Sequence, residues 1–161
     1  MPRKPAGTAV VNAMRAAFGE WTNNRNYSRL PDRSDFAYEG RSTRRYADDG
    51  YNTVDWGSMA GIQGCVGSLA CTEAWYLEGG GAVQADIRFN NHFRWIAGRS
   101  TGGYDIQMMA AHEIGHALQF DHVSSPAKRR WTNVMWPYEQ KGDKSGRLLG
   151  KGDSLGDNAG Y

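Results

Sequence analysis

The chain has 161 residues, 40% hydrophobic and 22% charged, which suits one globular domain and leaves no room for a second of ordinary size. Its net charge of +2 is too small to argue for nucleic acid or an anionic membrane as partner. No apolar run approaches the roughly 18 residues of a membrane span.

Met1-Pro2-Arg3-Lys4-Pro5 is basic but lacks the apolar stretch of a signal peptide, and residues 1–7 are expected to be a flexible N-terminus. Val10, Val11, Met14, Phe18 and Trp21 then recur at helical spacing, which predicts an amphipathic helix over Thr8–Thr22. Asn26-Tyr27-Ser28 fits the N-glycosylation acceptor pattern, a tripeptide common by chance. Short extended segments are predicted at Tyr27–Leu30, Phe36–Tyr38, Thr53–Trp56, Leu69–Tyr76 and Val83–Phe89, separated by Gly, Asp and Asn turns. The only cysteines are Cys65 and Cys71. They either close a small disulfide loop, with Gly67 easing the turn, or stay as reduced, buried apolar side chains. Gly79-Gly80-Gly81 reads as a hairpin connection; no Gly-Lys-Ser/Thr follows it to make a phosphate loop. A further helix is predicted from Asp105, as N-cap, to Leu118. Lys128-Arg129-Arg130 with Trp131 reads as a solvated loop, and a closing helix is expected from about Gly152. Helices and strands in this order make an α+β domain.

Three of the four histidines fall within residues 112–122, in His112-Glu113-Ile114-Gly115-His116-Ala117-Leu118-Gln119-Phe120-Asp121-His122. Residues four apart share a helical face, so His112 and His116 can hold one ion. Glu113 is turned about 100° away, placed to serve a water rather than to ligate. His122 is too far along for that face. The helix must therefore end near Leu118–Gln119 and the chain fold back. Three neutral imidazoles leave a tetrahedral zinc one open position, as a catalytic site requires.

These residues resemble the metzincin zinc signature HExxHxxGxxH and, within that clan, the matrixins and their bacterial relatives. The resemblance extends to Ala85–Asn90 with Phe93-Arg94-Trp95, to Val134-Met135-Trp136-Pro137-Tyr138 as the Met-turn, to Asp49–Val54 and to Leu148–Asp153. It implies that residues 1–161 are a single metallopeptidase catalytic domain. The implied fold is a twisted, mostly parallel sheet with an active-site helix and a small C-terminal subdomain. Gln119 stands where the family usually has Gly, at a helix end where φ > 0 costs another residue on the order of 1 kcal/mol. Animal matrixins carry a structural zinc; here Arg88 occupies a matching position and residues 56–84 contain no histidine, so only the catalytic Zn2+ is expected.

The implied function is zinc-dependent endopeptidase, with Glu113 as general base and His112, His116 and His122 as metal ligands. Met135 is expected beneath the metal. Ser68, Leu69 and Ala70 are expected at the cleft edge, where an extended peptide can add as a strand. By the same resemblance Pro137 and Tyr138 form the wall of the pocket for the residue after the scissile bond. Met108 would line its bottom and favour Leu or Met there. Two alternatives come from other classes: a zinc-retaining binding module without turnover, and a zinc hydrolase acting on cell-wall cross-links. The expected partners are protein or peptide substrates, with no nucleic acid. The chain is expected to be a monomer and extracellular, the latter from the resemblance and the candidate disulfide.

Overall fold

The computed structural model describes residues 7–23, 37–78, 82–123 and 133–159. Helix α1 (Gly7–Asn23) runs one residue further at each end than its periodicity predicts and buries Val10, Ala13, Met14, Ala17 and Trp21. Gly7 thus belongs to the helix. The rest of the expected flexible N-terminus, residues 1–6, lies outside the described residues. So do the strand expected at Tyr27–Leu30, the Asn26–Ser28 tripeptide, the Gly79–Gly81 connection and the Lys128–Trp131 loop.

Three strands follow: β1 (Val54–Gly57), β2 (Ala70–Tyr76) and β3 (Ala82–Asn90). They pair in the order β1-β3-β2. β1 runs parallel to β3, with Val54 opposite Ile87 and Trp56 opposite Phe89. β2 runs antiparallel to β3, as a hairpin partner should. The sheet is therefore mixed among the described residues, with one parallel and one antiparallel pair. A second small sheet joins β4 (Trp95–Ile96) to β5 (Tyr104–Asp105) in parallel. Ala37 and Tyr38, the described part of the strand expected at Phe36–Tyr38, are irregular. There Tyr38 packs its ring 6.4 Å from Phe18 of α1.

β3 is the central strand and the most buried. Its Phe89 is fully enclosed, stacked on Trp56 at 4.8 Å and met edge-on by Trp95 at 4.8 Å. Its polar residues anchor the segment before β1. Asp86 accepts from the Ala47 and Thr53 backbone N–H at 2.9 and 2.7 Å, and the Gln84 side chain accepts from Gly50 N–H at 2.7 Å. Arg88 meets Asp55, its register partner on β1, with two hydrogen bonds of 2.7 and 2.6 Å. That fork satisfies a buried carboxylate that would otherwise be costly.

Helix α2 (Ile106–Ala117) lies between the sheet and α1, with a short 3-10 turn (Ser145–Arg147) and helix α3 (Lys151–Ala159) closing the C-terminal part. The closing helix begins one residue before its expected start. Trp21, fully buried on α1, donates its indole N–H to the Ala111 carbonyl of α2 at 2.8 Å. No helix among the described residues is long and apolar enough to cross a membrane.

Candidate active site

α2 is fixed from all sides before it presents any chemistry. Ile106 and Met108–Gly115 are all buried. Asp105 caps its start as expected, accepting from Met108 N–H at 3.0 Å. The Arg147 guanidinium grips the same carboxylate at 2.9 and 2.5 Å and donates to the Gly98 carbonyl at 2.7 Å. Together they pin the helix start to β5 and to the C-terminal part.

The helix end sets the third histidine. Gln119 N–H donates to the His116 carbonyl and Phe120 N–H to the Gly115 carbonyl, both at 2.9 Å. This is the paired bonding of a left-handed helix terminus. Gln119 has φ 67°, the only positive φ at a non-glycine among the described residues. The turn reverses the chain and brings His122 back over α2.

Two carbonyls orient the other two imidazoles. His112 Nδ1 lies 2.8 Å from the Val134 carbonyl, and His116 Nδ1 lies 2.8 Å from the Phe120 carbonyl. Donation from each Nδ1–H leaves Nε2 bare. His122 Nε2 lies 3.1 Å from each of those nitrogens. It has at most one proton to offer, so at least one of the two lacks a donor. A cation at the common point satisfies all three. Nitrogens bound to tetrahedral zinc at about 2.0–2.1 Å stand about 3.3 Å apart, close to what is seen. The donor set fits catalytic zinc.

Electrostatics point the same way. Burial, aided by the neighbouring His116, pulls His112 down to about 3, against the opposing bond to Val134. Burial also lowers His116 and His122. All three are thus neutral, ligand-ready imidazoles at physiological pH. Burial pushes the Glu113 carboxyl up to about 7, opposed by a hydrogen bond from Thr72. The Glu113 Oε2 accepts from the Thr72 hydroxyl at 2.6 Å.

Met135 is 1% exposed, with its sulfur so close to Gly115 of α2 that a Cβ there would overlap it. Gly115 therefore lets the Met135 turn approach the helix. That turn is held from two sides: Val123 N–H donates to the Met135 carbonyl at 2.9 Å, and Val134 N–H donates to Asp153 of α3 at 2.7 Å.

The histidines open into a cleft of about 540 Å³, within the range of ligand sites. Ser68, Leu69, Ala70 and Pro137 line it. Tyr138 does not; it is 71% exposed, with its ring 5.9 Å from Trp136, which takes a place in the cleft. Met108 is also absent from the cleft. It is buried against Gly146, where a Cβ would meet its Cγ at 3.1 Å, and Met109, one residue on, lines the cleft instead. A one-residue step on a helix turns a side chain by about 100°, enough to exchange the two. Cys65 and Cys71 form a disulfide, Cα atoms 5.9 Å apart, and Cys71 lies in the cleft lining. Thr72 was not singled out in the sequence, although alternation along β2 puts Ala70, Thr72 and Ala74 on one face. All three line the cleft.

A comparison with protein-family models matches the chain to Matrixin over residues 2–156.

Proposed function

Since the chain belongs to the matrixin family and is a zinc metalloendopeptidase acting on proteins, we propose that Glu113 is the proton carrier of its peptide-bond hydrolysis. The observation that carries this is the buried side chain of Glu113, which lines the same cleft as the three converging imidazoles and lies outside the group that could hold the ion. Zinc held by His112, His116 and His122 supplies Lewis acidity, easing the loss of a proton from water near neutral pH and polarising a carbonyl. Glu113 accepts the proton of the attacking water and returns it to the departing amine nitrogen as the C–N bond breaks. Met135 serves as the apolar floor, a role supported by its burial against Gly115.

Ser68–Ala70 and the β2 edge are the surface for an extended substrate. Supporting this, β2 is an outer strand of the described sheet, and these residues line the cleft. Trp136 and Pro137 bound the pocket for the residue after the scissile bond, and Met109 contributes apolar, adaptable surface. One zinc per chain is proposed: Arg88, at the strand position of a structural-zinc ligand in animal matrixins, is committed to Asp55. An extracellular working place is supported by the family, whose members are typically extracellular, and by the Cys65–Cys71 bridge.

The test is cleavage of a diverse peptide mixture by zinc-loaded protein, with products read by mass spectrometry. Endoproteolytic cuts should disappear on chelation and return with one equivalent of zinc. Zinc-loaded protein that leaves every peptide intact would overturn the proposal.

A further inference from the structure

Among the described residues, Thr72 is the side chain that hydrogen-bonds to the Glu113 carboxylate, and it comes from a different element. Its Oγ1 lies 2.6 Å from Glu113 Oε2 and 2.9 Å from the backbone carbonyl oxygen of the same residue. We propose that Thr72 is a positioning residue for Glu113, its hydroxyl holding the carboxyl in one orientation both before and after proton uptake. The inference rests on the peptidase function proposed above.

A hydroxyl has a single proton and two lone pairs, so it serves one of its two neighbours as donor at a time. Facing the carboxylate, Thr72 must donate to Oε2, because two acceptors without a proton between them repel. Once Glu113 carries the transferred proton on its other oxygen, Oε1, Oε2 remains an acceptor and Thr72 goes on donating to it. No heavy atom moves, and the proton count is unchanged except for the one that Glu113 gained. A valine at position 72 would hold neither form. The hydroxyl suits a group that accepts a proton in one half of a reaction and returns it in the other.

Thr72 is itself well fixed. It pairs across the sheet with the buried Ile87 of β3. Its branched Cβ restricts χ1. Its neighbour Cys71 is bridged to Cys65.

The test compares Thr72→Val, which keeps the shape and removes the hydroxyl, with Thr72→Ser, which keeps the hydroxyl. Both are assayed with zinc content confirmed at one per chain. Thr72→Val should lower kcat roughly tenfold with KM changed less than twofold, as expected for loss of a hydrogen bond to a charged group. Thr72→Ser should recover kcat to within about threefold. A purely structural Thr72 would instead shift stability, zinc content or KM in both variants alike, and that result would overturn the proposal.

A second readout needs no turnover. In zinc-free protein, the fall in Tm caused by Thr72→Val should be several degrees larger with Glu113 present than in a Glu113→Ala background. Equal shifts in the two backgrounds would show no coupling and overturn the proposal. If the wild type cleaves no peptide, the peptidase proposal itself fails, whereas this cycle still reports on the Thr72–Glu113 contact.

Discussion

His112 and Asp153 are joined through the two ends of one residue, Val134. Its carbonyl accepts from His112 Nδ1 at 2.8 Å, and its N–H donates to Asp153 Oδ2 at 2.7 Å. The same carboxylate oxygen accepts from Gly150 N–H at 2.8 Å. The orientation of a zinc ligand on α2 is thereby set by the first turn of α3, through the turn that also places Met135. The small C-terminal part thus holds the His112 ring by its Nδ1, with Nε2 facing the metal position.

That anchor should register in the pH dependence of stability. Burial pushes Asp153 up to about 6 from an ordinary value near 3.8, although backbone N–H groups, Val134 first, act against the rise. A carboxyl raised on folding stabilises the fold when protonated. Its contribution is full below about 3.8 and is lost as pH rises through about 6. Asp153→Asn cannot titrate and keeps an acceptor oxygen. Unfolding by urea in zinc-free protein should therefore show the wild type losing stability relative to Asp153→Asn between pH 4 and 7, by on the order of 2 kcal/mol. A difference that stays flat across that window would contradict the assigned direction.

Gln119 should be a removable strain. It is exposed and holds φ 67° at the helix end, a conformation that costs an L-residue on the order of 1 kcal/mol. Replacing it with glycine should raise Tm by about 2–4 °C with zinc stoichiometry unchanged, as followed by calorimetry. A lower Tm would mean that the Gln119 side chain contributes more than its backbone costs.

The Cys65–Cys71 bridge closes a loop that contains Ser68, Leu69 and Ala70 of the cleft lining. Loop-closure entropy for so short a loop is about 2 kcal/mol, so the double Cys→Ser variant should be less stable by about that amount. The freed segment borders the proposed substrate surface and takes no part in the histidines' hydrogen bonds. Its loosening should raise KM more than it lowers kcat in steady-state assays. Intact-mass analysis showing two free thiols in protein purified without reductant would remove the basis of both effects.

What was legible in the sequence was local. The periodicity of Val10, Met14, Phe18 and Trp21 gave α1. The His112/His116 spacing gave the metal face of α2. The distance on to His122 required a reversal, which Gln119 supplies even without glycine. Three of the predicted strands became β1, β2 and β3 because each carries enough alternating or continuous apolar character to be seen alone. What escaped depends on segments far apart in the chain. Thr72 meets Glu113 across 41 positions, and Arg147 meets Asp105 across 42. Nothing in either local pattern announces the partner. Met108 and Met109 are likewise indistinguishable by type; only the packing of α2 against Gly146 decides which of them faces the cleft.

The most direct measurement is single-turnover peptide cleavage by Glu113→Gln, with bound zinc counted in the same sample. Glutamine keeps the size of the side chain and removes its ability to take a proton. The expected result is one zinc per chain, bound as in the wild type, with a cleavage rate reduced by roughly 10²-fold or more. A Glu113→Gln protein that retains its zinc and cleaves at near wild-type rate would contradict the role given to Glu113, and with it the account of how this cleft works.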